Sequence, residues 1–166
     1  MGHSMGGIVI TQTAEYRPGK IQLLVYLCAF LPADEQTLLQ ILENDKKDLP
    51  PTVIISEDKT YLKLKDHLIK DAFYGDCSES DIFEAKEKLC FQPLLPFITP
   101  VHKTEDNFGR VPRVYIETLK DNAISIRCQR EMYTRTACKQ IITMDTDHSP
   151  FFSQPEVLSS HLKNLG

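Results

Sequence analysis

The chain has 166 residues, 42% of them hydrophobic and 25% charged, with a formal net charge of -4. That is enough chain for one domain with a sizeable core, in the composition range of ordinary globular proteins. The acidic balance argues against nucleic acid or an anionic membrane as the main partner, and no apolar run approaches a membrane span. In chain order, Gly2-His3-Ser4-Met5-Gly6-Gly7 comes first, a G-x-S-x-G pattern that marks a sharp strand-to-helix turn lifting a serine out of the backbone. The glycines fit such a turn because backbone segments approach there too closely for a Cβ. The pattern predicts a helix over 4–15, closed by Pro18-Gly19. Leu23 to Phe30 is a continuous apolar run, as in a strand buried on both faces of a parallel sheet, and Pro32 stops it.

From Ala33 to about Gly109 the character changes. Leu38, Leu39, Ile41 and Leu42 form a helical stripe, and Thr52 to Leu62 holds two short β runs around a polar turn, an expected hairpin. Helical patterns follow near 65–73 and 79–90, and Pro93, Pro96 and Pro100 mark a loop. Residues 33–108 are therefore expected to form an inserted, mostly helical lid. The strand–helix rhythm then returns with a strand at Val111–Glu117, a helix over 124–135, a strand at Gln140–Met144 and a last helix opening at Pro155. Residues 1–32 and 109–166 thus predict an α/β core with a short parallel sheet and flanking helices.

A serine hydroxyl is a weak nucleophile at neutral pH. It needs a histidine to take its proton and a carboxylate to hold that histidine in one tautomer. Asp121 follows the strand that ends at Glu117, and His148 follows the strand that ends at Met144. With Ser4 they give the chain order Ser, Asp, His, the acid and the histidine each just after a strand, while the strand that an elbow needs before it is expected to be missing. Glu117, Asp145 and Asp147 are rival carboxylates, and His3, His67, His102 and His161 are rival histidines. Glu117 lies within a strand end, the other two acids are too near His148 in sequence, and none of the rival histidines follows a core strand. The backbone N–H of Met5 is the expected donor to an oxyanion. The five cysteines, Cys28, Cys77, Cys90, Cys128 and Cys138, are odd in number and show no C-x-x-C spacing. Reduced, mostly buried thiols in a cytoplasmic protein are expected, rather than disulfides or a zinc site.

The elbow, the segment Tyr26 to Pro32, the strand Val111–Glu117 with Asp121, and Asp147-His148-Ser149-Pro150-Phe151 together resemble the α/β-hydrolase superfamily. The nearest branch is the bacterial esterases similar to plant methylesterases and hydroxynitrile lyases. The resemblance implies an esterase that uses Ser4 as nucleophile, Asp121 as acid and His148 as base, with no metal or organic cofactor. It implies a small-molecule ester as substrate, with neither nucleic acid nor membrane as partner. Tyr74-Gly75-Asp76-Cys77 looks like part of the family's lid. Because the elbow stands at residues 2–7, the chain is expected to be a fragment lacking the early strands and one oxyanion donor. The 22–30 strand is then expected to present a hydrophobic sheet edge through which copies could self-associate. Two alternatives stand beside the esterase: a truncated, catalytically inert hydrolase fragment, and a hydroxynitrile lyase-like activity. The lyase is the weaker of the two, because Ser149 occupies the position where that branch places a lysine.

Overall fold

Residues 1–45 and 52–165 are described by the structure, a computed structural model; residues 46–51 of the expected lid lie outside them. The chain opens with a two-residue strand, Gly2–His3 (β1), turns at Ser4, and enters the helix Gly6–Tyr16 (α1). The apolar run that follows is a strand only over Leu24–Leu27 (β2). It ends there because Cys28 adopts a positive φ of 34°, which turns the backbone out of the sheet.

The middle of the chain begins with the helix Leu38–Asn44 (α2), whose amino end carries a capping box between Thr37 and Gln40. The expected hairpin is present as Val53–Ile55 (β3) and Tyr61–Leu64 (β4), antiparallel with Ile54 opposite Lys63. Two helices, Ile69–Phe73 (α3) and Glu79–Lys88 (α4), follow. The proline-bearing stretch expected to be loop contains a third strand, Gln92–Pro93 (β5), paired with β4, and then the short helix Leu95–Ile98 (α5). A proline lacks an N–H, so Pro93 is tolerated there only because β5 is an edge strand. The entry and exit of this segment are laced together: Glu35 N donates to Val101 O at 2.8 Å and Val101 N to Gln36 O at 3.1 Å.

The chain then returns through Arg113–Thr118 (β6), Ile126–Arg135 (α6), Gln140–Met144 (β7), Pro150–Ser153 (α7) and Pro155–Lys163 (α8). The four strands of this sheet lie in the order β1-β2-β6-β7, and all three neighbouring pairs are parallel. Side chains alternate between two covered faces, which is why β2 is apolar throughout and β6 over Val114–Ile116. Leu24, Tyr26 and Tyr115 pack on one face with Ile8 and Ala14 of α1 and Met132 of α6. Val25, Leu27, Val114 and Ile116 pack on the other with Leu158 and Leu162 of α8.

Two expectations need correction. A strand does precede the elbow, since Gly2 and His3 pair with Tyr26 and Leu27. The 22–30 strand does not present an apolar edge either: Leu24, Val25, Tyr26, Leu27 and Phe30 are all buried, because α1 and α8 cover the two faces of the sheet. Only backbone groups of β2 beyond the reach of two-residue β1 lack a strand partner on that side.

Candidate active site

Ser4 has φ 52°, in the left-handed region that a residue with a Cβ adopts only where it is held. The holding groups are visible. Gly7 N and Phe30 N each donate to Ser4 O at 3.0 Å, and Ser4 N donates to Leu27 O at 3.4 Å. Glycine makes the turn sterically feasible: a Cβ on Gly2 would stand 2.5 Å from Gly6 O, and one on Gly7 only 2.1 Å from Phe30 O. These contacts pin the elbow to the end of β2, which is why two residues of β1 suffice.

Asp121 and His148 lie on the loops after β6 and β7 and are both buried. His148 Nδ1 donates to Asp121 Oδ2 at 2.7 Å. The carboxylate is held in place by its own loop, Oδ1 accepting from Ala123 N at 2.7 Å and Ile124 N at 2.8 Å, and Oδ2 from Thr118 Oγ1 at 3.2 Å. A carboxylate only accepts, so the hydrogen bond puts a proton on Nδ1. Nε2 is buried and has no hydrogen-bond partner among the described residues. The expected bond from Ser4 Oγ to His148 is therefore not made. Hydroxyl–imidazole contacts of this kind are often long until a substrate is bound.

The backbone of His148 is anchored from the elbow side. His3 Nε2 donates to His148 O at 2.8 Å, and Cys28 Sγ donates to the same oxygen at 3.4 Å. The His3 ring lies 4.6 Å from that of His148, centroid to centroid, and Phe73 meets His148 edge-on at 5.5 Å. Burial, together with the neighbouring His148, pulls the His3 pKa down to about 3, so its ring is a neutral donor at physiological pH. Burial and then the charge of Asp121 push the Cys28 thiol well above its ordinary value, which keeps it protonated.

The rival carboxylates are engaged elsewhere. Glu117 is held by Arg130 at 3.1 Å, Tyr133 at 2.9 Å and Thr143 at 2.9 Å. Asp145 lies 3.6 Å from Lys120. Asp147 accepts from Ser149 N at 3.1 Å, Ser153 Oγ at 2.8 Å, Asp76 N at 3.1 Å and Cys77 Sγ at 3.2 Å, joining the histidine loop to the α3–α4 turn. Among the rival histidines, His102 pairs with Glu35 and Asp34 in an exposed cluster, while His67 and His161 lie in helical turns of the middle segment and of α8.

Two polar residues beyond Ser4, Asp121 and His148 also belong to this neighbourhood. Asp147 was set aside for its nearness to His148, yet it is one of the loop's main organisers. Gln129 of α6 is fully buried and donates to Asp121 Oδ2 at 3.1 Å. Its signal in the sequence was a long polar side chain next to Cys128 and three residues before Met132, on the apolar stripe of an amphipathic helix.

Ser4 and Met5 open into a cavity of about 680 Å³. Its floor includes Phe30, Phe73, Ala123 and Ile124, and its walls are Leu42 of α2, Val53, Leu62 and Leu64 of the hairpin, Leu89 and Phe97. Met5 stands at the amino end of α1, where the first amide groups of a helix have no carbonyl partner within it. None of the five cysteines is in a disulfide; Cys28 and Cys128 are buried, Cys77 and Cys138 partly so, and Cys90 exposed, so the expectation of mostly buried thiols holds for two of them. Among the described residues, no helix is long and apolar enough to cross a membrane.

Comparison with known proteins agrees with this fold. The profile described as Alpha/beta hydrolase family matches residues 1–160. A putative chloroplastic methylesterase 11 of Arabidopsis thaliana is 30% identical over 99% of this chain and 45% of its own length. A pyrethroid hydrolase of Sphingobium wenxiniae is 29% identical over 99% of this chain and 62% of its own. Among solved structures, polyneuridine aldehyde esterase superposes with a TM-score of 0.82 at 20% identity, over 99% of this chain and 69% of that one. A pyrethroid hydrolase from Sphingobium faniae gives 0.80 at 25% identity, over 99% and 68%. The chain spans about half the length of the curated relatives it matches.

Proposed function

The chain belongs to the alpha/beta hydrolase family, and from that premise we propose that it carries the site of a carboxylic-ester hydrolase working through Ser4, His148 and Asp121. The observation that carries the reading is the buried 2.7 Å bond from His148 Nδ1 to Asp121, with Nε2 left unpartnered beside the strained elbow. A buried polar atom without a partner is unusual and points to one supplied by function. In the proposed reaction Ser4 Oγ attacks the ester carbonyl while Nε2 takes its proton. The carbonyl oxygen becomes an anion facing the Met5 N–H. Collapse of the tetrahedral species breaks the ester C–O bond, and His148 returns the proton to the departing alcohol. Water then repeats the sequence on the Ser4 acyl ester and releases the acid. Asp121 keeps the imidazole in the tautomer that accepts at Nε2 and stabilises the imidazolium. Each step draws on side chains, backbone and water, and calls on no metal or organic cofactor.

We assign residues 33–108 the role of a lid, because they supply most of the apolar cavity walls while Ser4 and Met5 supply its reactive end. A cavity of about 680 Å³ suits an ester with a bulky apolar part. The names of the relatives, methylesterase and pyrethroid hydrolase, support ester hydrolysis. Five cysteines outside any disulfide fit a reducing compartment such as the cytoplasm.

The test is covalent labelling of the full chain with a fluorophosphonate, together with turnover of p-nitrophenyl esters. The label is expected on Ser4, and Ser4→Ala should lose both label and turnover while keeping its melting temperature, since removing the nucleophile alone costs nearly as much as removing the whole triad. Turnover by Ser4→Ala equal to the parent chain would refute the covalent mechanism.

A further inference from the structure

Gln129 sits in the middle of α6, on the helix face that packs against the end of β6. Its side chain is fully buried and is not linked to any other charged or polar group of α6. It reaches instead across to the loop that carries Asp121. Its Oε1 accepts from Thr118 N at 3.2 Å. Its Nε2 faces three acceptors, Ile124 O at 2.9 Å, Asp121 Oδ2 at 3.1 Å and Thr118 O at 3.3 Å, which share its two hydrogens. One side chain thus holds both ends of the 118–124 loop and the carboxylate between them.

The other donors to Asp121 differ in kind. Ala123 N and Ile124 N belong to the same loop as the acid, and Thr118 Oγ1 stands at the end of β6, three residues before it. His148 is the group that the acid is to hold. Gln129 ties Asp121 to α6 instead, and it does so at Oδ2, the same oxygen that accepts from His148. α6 is itself fixed: Ser125 caps it by accepting from Cys128 N at 3.1 Å, and Met132 is buried in the core.

We propose that Gln129 is a positioning residue of the ester-hydrolase site, which locks the Asp121 carboxylate to α6 so that Oδ2 meets His148 Nδ1 in one orientation. The inference rests on the proposed function for its consequence in catalysis. It makes two commitments. Loss of the amide should lower kcat with little change in KM, because the cavity that binds substrate is lined by other residues. A carboxyl at this position should make catalysis depend on its own protonation. When protonated it can still donate to Asp121; when ionised it sets two carboxylates against each other, so activity should fall as pH rises. The other titratable groups around this point are Asp121 and His148 themselves, and Cys28, Tyr115 and Cys128, which are coupled to Asp121 or to one another. Cys28 and Tyr115 are pushed well above their ordinary values, mainly by burial, and stay neutral across the working range.

The experiment compares Gln129→Met and Gln129→Glu with the parent chain by melting temperature, by kcat and KM per site titrated with fluorophosphonate, and by the far-downfield proton resonance of the His148–Asp121 hydrogen bond. Ser4→Ala is run alongside. Gln129→Met is expected to lose about 10- to 100-fold in kcat, with KM within about twofold, as misplaced supporting groups commonly do. Gln129→Glu is expected to add a falling limb on the basic side of the kcat profile that the parent lacks. In both variants the downfield resonance should move or vanish, whereas in Ser4→Ala it should persist. If Gln129→Glu folds, keeps the parent kcat per site and pH profile, and leaves the resonance in place, the positioning role is overturned, even where Gln129→Met fails to fold. If the parent chain shows no ester turnover, or Ser4→Ala retains it, the esterase reading falls, and the resonance alone still decides whether Gln129 orients Asp121.

Discussion

Residues 1–32 and 109–165 handle charge in one way, and residues 33–108 in another. In the sheet region three acids, Glu15, Glu117 and Asp121, are buried and bound from several sides. Glu15 accepts from Thr104, Asn107 and Phe108, Glu117 from Arg130, Tyr133 and Thr143, and Asp121 from its own loop, Gln129 and His148. In the middle segment the ion pairs lie on the surface: Lys70 with Glu79 and Lys88 with Glu84 are largely exposed at both ends. The first arrangement fixes geometry, because each buried acid has its orientation set by donors in other parts of the chain. The second keeps a segment soluble while its apolar side chains form cavity walls. Chemistry that needs an angle and a distance falls in the first region, and volume in the second.

The largest effect that would test this contrast is at Gly7. A Cβ there would stand 2.1 Å from Phe30 O and 2.9 Å from Phe30 N and C, all backbone atoms that cannot swing aside. The elbow would have to part from the end of β2, along with the bond from Phe30 N to Ser4 O. Gly7→Ala should cost about 3 kcal/mol or more, the upper end of overpacking penalties. Gly6→Ala, where nothing lies within 4 Å, should cost little, since Ala also suits a helix better than Gly. Denaturant midpoints check the pair. Equal stability of the two variants would mean that the elbow is not rigidly seated on β2.

Much of this rigid region was legible in the sequence. The G-x-S-x-G pattern and the glycine after it place a turn because Gly2 and Gly7 meet backbone too closely for a Cβ, and the apolar runs place β2 and β6 because a strand covered on both faces has no polar alternation. Asp121 and His148 were found through their position just past β6 and β7, and their meeting is the 2.7 Å contact observed. Other features were hidden for physical reasons. β5 is two residues long and contains a proline, so its pairing with β4 depends on the chain coming back beside Tyr61 and Leu62. The unmade Ser4–His148 bond depends on side-chain rotamers, to which residue spacing is blind. Gln129 acts across a tertiary contact, and its polarity in an apolar stripe was the only local trace.

A smaller, pH-dependent effect should appear at Glu15, where the sheet region grips the end of the middle segment. Burial opposes its ionisation. Hydrogen bonds from the Asn107 side chain, from Thr104 and from Phe108 N outweigh that and bring its pKa to about 2, against an ordinary 4.5. The folded value lies below the unfolded one, so the stability it contributes is fully present above about 4.5 and is lost as pH falls from there toward about 2. Glu15→Gln should melt lower than the parent chain at neutral pH, because its NH₂ meets groups that are themselves donors. The gap should narrow through that acid window. Melting curves that stay parallel from neutral to acid pH would show that the anchor draws nothing from the charge.

The smallest effect is expected at Lys70. Its ammonium pairs with Glu79, and each partner shifts the other in the usual directions, Lys70 upward and Glu79 downward. Both side chains are exposed, 48% and 80%, so water and salt screen the attraction, and ordering two long side chains opposes it. Glu79 has a second source of stabilisation that Lys70 does not provide. It lies in the first turn of α4, where the helix dipole favours a negative charge, and Ser78 caps that end by accepting from Asp81 N at 3.2 Å. Removing Lys70 therefore leaves Glu79 in a favourable place and leaves α4 capped. Lys70→Ala should melt with the parent chain within error, at low and at high salt alike. A loss approaching that of Gly7→Ala would mean that the surface pair fixes how α3 meets α4, and the division between a rigid charged core and a screened outer segment would fail at that point.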